Sequence, residues 1–437
     1  MKKVILTILA IYGVVHLGMA QGNDHNNQNA VGSQNGGHDV LENNQINGQN
    51  NDHNKQSVLF RQNGSESPHD ILENNLINGD RNDRNQQSVR ARQDGDENEI
   101  DDNNEIEGNN NDWNRQKLRA RQDGEELEID FTNNIDGNRN DGNSQIIEVD
   151  QNGEAHDIEE VNLIDGNNND YNRQEIWSKQ EGDNNDIDEE VNEIDGDRND
   201  WNTQEVWSHQ AGEGHDLEEI NTINGDNNDD NSQKIWIDQA GEDNGLDNIN
   251  EIDGDRNDWN SQEAWIEQDG EENDIDGNKI EGNNNDDNSQ KIWGNQDGND
   301  NDVNDFNVID GNNNNWNNQE ATGIQEDDEQ SLENINNING DRNDWNTQKA
   351  WAKQAGIEEN LIENVNQING NNNDGNIQDF DAHQDGDDHT IDGVNLIDGN
   401  RNDENTQKAW MEQEEESNII RDINTIEGNN NNWNVQD

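Results

Sequence analysis

The stretch Ile194-Asp195-Gly196-Asp197-Arg198-Asn199-Asp200-Trp201-Asn202-Thr203-Gln204 decides how this chain is read, because its skeleton returns along the sequence. The skeleton is Ile-x-Gly-x-x-Asn-Asp/Asn-x-Asn-x-Gln. Its isoleucines run from Ile46 and Ile77 through Ile194 to Ile397 and Ile426, fourteen copies at spacings of 28 to 31 residues. Every copy keeps the Gly, both Asn and the Gln. A second Gln follows six residues after the first, as Gln210 follows Gln204, in the thirteen copies long enough to show it, and it usually opens Gln-x-Gly. An apolar residue comes seven positions later, at Leu217, Leu246 and Ile275. Repeats of this length are units that bury their apolar face only by stacking on a neighbour.

Composition alone points elsewhere. A net charge of −77, 25% hydrophobic residues and a single proline resemble a disordered acidic chain. A conventional globule of 437 residues needs more apolar side chains than this. The charge excludes nucleic acid as a partner, since phosphates require Lys and Arg. With no cysteine, neither a disulfide framework nor a lipid anchor on cysteine is available. Residues 1–20 combine Lys2 and Lys3, the apolar run Val4 to Val15 and Gly18-Met19-Ala20, the pattern of a signal peptide. The expected mature protein is secreted, extracellular or on the cell surface, with no membrane insertion once the signal is removed.

Within a copy, Asp200 to Gln210 alternates and lacks proline, so it reads as a strand. Leu217 to Ile223 reads as a second, shorter strand. The segments between, such as Ala211-Gly212-Glu213-Gly214-His215, are dense in Gly, Asn and Asp and read as turns. Gly196, Gly225 and Gly254 mark the turn that follows the repeat isoleucine. The expected fold is all-β: a solenoid of fourteen stacked strand–turn–strand rungs with amyloid-like cross-β geometry. Residues 21–33 are expected to form a flexible N-terminal segment ahead of a repeat domain at 34–437.

Stacked copies place identical residues in columns, and side-chain amides can bond the amides above and below them. The inward ladders are therefore Asn202, Gln204 and Gln210, Asn231, Gln233 and Gln239, and Asn260, Gln262 and Gln268 in three consecutive copies. The opposite face tests the stack. The position after the first Gln reads Glu205, Lys234, Glu263, Lys291, Glu320, Lys349, Asp379, Lys408. Opposite charges on facing strands help and like charges hurt, so this alternation requires equivalent residues of consecutive copies to face each other.

The string Gln174-Glu175-Ile176-Trp177-Ser178-Lys179-Gln180-Glu181-Gly182-Asp183-Asn184-Asn185 resembles the curlin repeat, Ser-x5-Gln-x-Gly-x-x-Asn, with Gln174 where the family has Ser. The resemblance extends from Gln34 to Gln436, although the repeats here are longer and more acidic and lack the family's closing Gln-x3-Gln. It implies a curli-type subunit that leaves through a dedicated outer-membrane channel and self-associates into adhesive, biofilm-forming cross-β fibres.

Nothing in the sequence points to catalysis: the ten histidines keep no recurrent spacing to a nucleophile. Acidic turns carrying Asp165 and Asp170, or Asp195 and Asp200, set oxygen ligands beside a glycine, as Ca²⁺ prefers. They match neither the Gly-Gly-x-Gly-x-Asp repeat of calcium rolls nor a full EF-hand loop. The expectation is thus no metal and no cofactor, and a monomeric, acidic Ca²⁺-binding β-roll or ligand-binding solenoid is the alternative to the fibre subunit. All thirteen tryptophans fall in two columns. Trp113, Trp201, Trp259, Trp316, Trp345 and Trp433 lie seven residues past the repeat isoleucine; Trp177, Trp207, Trp236, Trp265, Trp293, Trp351 and Trp410 lie six further on. They read either as an exposed ridge for surface contact or as rings packed on each other.

Overall fold

Along Thr203–Ala211 every second side chain is buried, from Gln204 through Val206 and Ser208 to Gln210, and the residues between face outward. This period of two recurs in each long strand and builds a parallel, in-register β-solenoid. The computed structural model describes residues 20–21, 27–35, 40–41, 44–47, 49–63, 71–72, 75–94, 99–101, 103–130, 132–188, 191–356, 360–386, 389–414, 418–428, 431–432 and 434–436. The expected signal peptide lies almost wholly outside them. Among the described residues there is no helix.

The chain divides into two units, Met1–Asn224 and Gly225–Asp437. In the first, seven nine-residue strands pair in parallel in sequence order, from Asn27–Asn35 and Lys55–Asn63 to Arg173–Glu181 and Thr203–Ala211. In the second, seven more run from Ser232–Ala240 to Thr406–Glu414 in the same manner. Every pairing joins equivalent residues, such as Gln174 with Gln204 and Trp177 with Trp207. The charge column does the same: Lys234 pairs with Glu263, Glu263 with Lys291, Lys291 with Glu320 and Glu320 with Lys349.

A rung closes through shorter strands. In the rung of Thr203–Ala211 these are Asp216–Glu218 and Asn221–Asn224, stacked on the previous copy through Leu217 on Ile187 and Ile223 on Ile194. Val206, Leu217, Ile220 and Ile223 are fully buried. Burying side chains of this kind stabilises by roughly 1.5–3 kcal/mol each, and stacking lets each rung's apolar residues be covered by its neighbours.

The structure corrects three expectations. The long strand starts at Thr203, not Asp200, because Trp201 sits in the left-handed region at φ 60° and turns the chain into it. The second strand is broken in two at Glu219, also left-handed at φ 47°. An unbroken form occurs at Asp274–Glu281, which shifts register against Asp302–Asp310 between Asp276 and Asn278. Finally, Asn27–Asn35 begins inside the segment expected to be flexible, and it pairs with Lys55–Asn63 so that Gln28 meets Gln56.

Candidate functional site

The surface that could do work here is the stack itself, so its columns are taken in turn. Gln204 is fully buried. Its Nε2 donates to Gln174 Oε1 at 2.9 Å, to Thr222 O at 3.0 Å and to Asn192 O. Gln262 repeats the arrangement, donating to Gln233 Oε1 at 2.8 Å, Asn250 O at 2.7 Å and Lys279 O at 2.9 Å. The second glutamine column runs parallel: Gln210 donates to Gln180 Oε1 at 2.8 Å and Gln268 to Gln239 Oε1 at 2.9 Å. Each amide thus ties two copies together while satisfying backbone carbonyls of the short strands, which would cost about 1–3 kcal/mol each if left bare.

Asn202 works differently. Its Oδ1 accepts the backbone N–H of Asn172 at 2.9 Å and its Nδ2 donates to Asn169 O at 2.6 Å. Asn260 does the same for Asn231 N at 2.9 Å and Asn228 O at 2.6 Å. This column bonds the backbone of the copy before it, through both ends of the amide, where a side-chain ladder was expected. The turn glycines complete the corner: Gly196 N donates to Asn224 O at 3.0 Å, Gly225 N to Asp253 O at 2.9 Å and Gly254 N to Glu281 O at 3.1 Å.

A further amide ladder escaped the sequence reading. Asn162 Nδ2 donates to Asn192 Oδ1, and Asn192 Nδ2 to Asn221 Oδ1, each at 2.9 Å. In the second unit Asn250 donates to Asn278 Oδ1 at 2.8 Å. The signal was present, since Asn stands two residues before the repeat isoleucine in all fourteen copies, from Asn44 to Asn424.

The acidic candidates separate into two columns. Asp165 pairs with Asp195 in register, whereas Asp170 belongs with Asp141 and Asp200. Burial first, and then the like charges of Asp136 and Asp195, raise the Asp165 carboxyl; burial and Asp141 raise that of Asp170. In the second unit this last column has a structural task. Asp344 Oδ1 accepts Asp374 N at 3.2 Å, and Asp374 Oδ1 accepts Asp403 N at 3.1 Å. Elsewhere Glu128, Asp130 and Glu159 bring carboxylate oxygens within 4.8 Å of one another, which by itself is an ordinary feature of so acidic a chain.

On the outer face, Lys234 lies 3.3 Å from Glu263 and Lys291 3.8 Å from Glu320, pairs worth a few tenths of a kcal/mol each. The tryptophans stack and stay exposed at once. Trp177 and Trp207 lie 4.1 Å apart and nearly parallel, Trp236 and Trp265 lie 5.0 Å apart, and Trp316 and Trp345 lie 5.6 Å apart. Trp177 is nonetheless 46% exposed and Trp316 58%. Trp433 lies outside the described residues.

Histidine enters one amide column. His156 N donates to Asn185 Oδ1 at 3.1 Å, and Asn185 N donates to His215 Nδ1 at 3.1 Å. The latter bond requires a neutral ring. Burial lowers both rings, His156 to about 4. A lowered histidine contributes stability that is fully present above its ordinary value and lost as pH falls towards the folded value. Replacing both by asparagine, which already fills this position at Asn185, is therefore expected to leave the melting temperature unchanged at pH 7. At pH 4 the double variant should melt higher than the parent by thermal circular dichroism; equal melting at pH 4 would show that the rings do not titrate in the fold.

No family model, no curated protein and no solved structure matches this chain.

Proposed function

We propose that this chain is a secreted structural protein, the subunit of an extracellular amyloid-like, curli-type fibre for adhesion and biofilm matrix. The reading rests on one observation: each copy offers the next the same backbone edge and the same amide columns, as in Gln174, Gln204 and their bonds across copies. A rung supplied by another molecule meets the same donors and acceptors as a rung of the same chain, so strand addition extends the stack between molecules. Secretion, passage through an outer-membrane channel and a structural rather than catalytic role belong to the same proposal.

The carboxylate columns set its pH dependence. Asp112, Asp141 and Asp170 in the first unit, and Asp258, Asp286 and Asp344 in the second, are all raised, by burial first. Asp276 is pushed to about 7 by burial and then by Asp305 and Asp247. A raised carboxyl makes the stacked state hold protons that the unstacked chain releases. The stack therefore loses stability as pH rises through the carboxylate range and regains it as pH falls. Thioflavin-positive assembly of the purified mature chain is expected to be faster at pH 5 than at pH 8, with electron microscopy showing filaments far longer than one chain. Unchanged rates across this range would remove the electrostatic account, and a chain that stays monomeric at pH 5 would remove the fibre reading.

A further inference from the structure

Charge is unevenly distributed over the solenoid surface. The long-strand sheet of the first unit turns a basic face outward: Arg61 is exposed on Lys55–Asn63, Arg90 and Arg92 on Gln86–Asp94, and Arg119 and Arg121 on Arg115–Asp123, with Lys117 half-buried beside them. The registers Arg61–Arg92, Arg92–Arg121 and Arg90–Arg119 make two adjacent guanidinium columns. Their spacing is about 4.8 Å along the stack and about 7 Å across the strand. With Lys55 and Arg115 at the starts of two of these strands, eight of the chain's 26 lysines and arginines are gathered on three strands of a molecule carrying −77. Like charges in direct apposition cost stability.

The next strand, Ser144–Asn152, meets the last row with carboxylates. Arg119 lies 3.3 Å from Glu148 and Arg121 3.7 Å from Asp150, and Lys117 also meets Glu148. The earlier rows sit beside Val31 and Leu59, which are 41% and 43% exposed. Apolar side chains set among cations suit a contact surface better than a merely solvated face.

The second unit carries the complement at the end of its long strands and on the turn that follows. Asp269, Asp297 and Glu326 are exposed and in register. One step on, Glu272, Asp300 and Glu329 occupy left-handed turn positions at φ 60°, 57° and 59° and are exposed as well. The crowding is felt: the Asp297 carboxyl is raised by desolvation and then by Asp327 and Asp269.

We propose that the basic face of one copy docks on this acidic turn edge of a second copy, side by side. Both belong to the same kind of solenoid, so the carboxylate columns share the roughly 4.8 Å period of the guanidinium columns and row meets row. Only a second copy is bound to have that period. Because the two surfaces differ, the contact is heterologous and passes from copy to copy. At physiological salt the screening length of about 8 Å damps the overall repulsion while leaving contact pairs in force. The contact is lateral and stands whether or not chains also join end to end.

The test is a charge swap read by sedimentation velocity at pH 7.5 and physiological salt, with circular dichroism confirming that each variant folds. One full-length variant carries Arg61→Glu, Arg90→Glu and Arg119→Glu; the other carries Asp269→Lys, Asp297→Lys and Glu326→Lys. Each alone is expected to self-associate at least about tenfold more weakly than the parent, and an equal mixture of the two is expected to regain association, since the reversed face of one fits the reversed edge of the other. Parent-level association in either variant alone, or no recovery in the mixture, overturns the proposal. A parent that stays monomeric while binding an added polyanion such as polyaspartate through the same arginines overturns it in favour of a foreign partner. Filament length by electron microscopy reports end-to-end growth separately, so failure of the lateral contact and failure of the fibre reading are told apart.

Discussion

Gly282→Ala is expected to open the rungs on either side of it, a loss on the order of 4 kcal/mol or more. A Cβ at Gly282 would lie 1.5 Å from Gly254 O and 2.7 Å from Gly254 C, both backbone atoms of the preceding copy that no rotamer change can move. The residue is also left-handed, at φ 144°, where a side chain adds strain. Separating the two copies enough to admit the methyl breaks the bond from Gly254 N to Glu281 O at 3.1 Å. It also pulls apart the bond from Asn257 Nδ2 to Glu281 O at 2.6 Å. The damage should be local at first, because a solenoid is held by nearest-neighbour interfaces. Hydrogen exchange should show lost protection in the copies around residues 254 and 282 while more distant copies stay protected. Asn283→Ala, one residue on and exposed, is the control and should change protection little. Equal protection in both variants would mean that the copies are not stacked at this separation.

Much of this architecture is legible from period alone. The amide at Gln204 and the alternation from Lys234 to Lys349 return in fixed phase, and phase is what stacking requires, so the fold class and the facing of consecutive copies follow. Corners are another matter. The left-handed residue before the long strand is Trp201 in one copy, Asp230, Asp287 or Glu404 in others. The conformation is imposed there by the bonds of the column and not by residue type, so composition carries no mark of it. For the same reason the alternation that reads as a strand begins at Asp200, three residues ahead of the strand itself at Thr203. The asparagine ladder at Asn192 and Asn221 lies just outside the skeleton, two residues ahead of the isoleucine on which it begins. The first long strand, Asn27–Asn35, keeps the six-residue glutamine spacing in Gln28 and Gln34 but not the Ile-x-Gly that precedes it elsewhere. The basic face was hidden by a net charge that averages it away.

Gln290→Glu puts the central claim at stake, that buried amides replace much of the apolar core this chain lacks. Gln290 is fully buried. Its Nε2 donates to Gln262 Oε1 at 2.8 Å, Val308 O at 3.0 Å and Asn278 O at 3.1 Å, and its Oε1 accepts from Gln319 Nε2 at 2.9 Å. A carboxylate keeps the acceptor role and loses every donor, so three oxygens are left facing a negative charge in a dry interior. The expected cost at pH 7 is on the order of 3–5 kcal/mol. Gln290→Met removes the donors without adding charge and should cost about 2 kcal/mol, chiefly from the bare acceptors. The two variants should also part with pH. Burial raises the folded-state value of the introduced carboxyl, so the penalty grows as pH rises through the carboxylate range and shrinks as pH falls. Thermal melting at pH 7 should rank parent, methionine, glutamate from most to least stable, and at pH 4 the glutamate variant should approach the methionine one. A polar tract that were merely solvated would take glutamate at this position without loss, since glutamate is already abundant on its surface. Indifference to Gln290→Glu at pH 7 would therefore remove the ladder, and with it the physical reason for a chain this poor in apolar residues to fold.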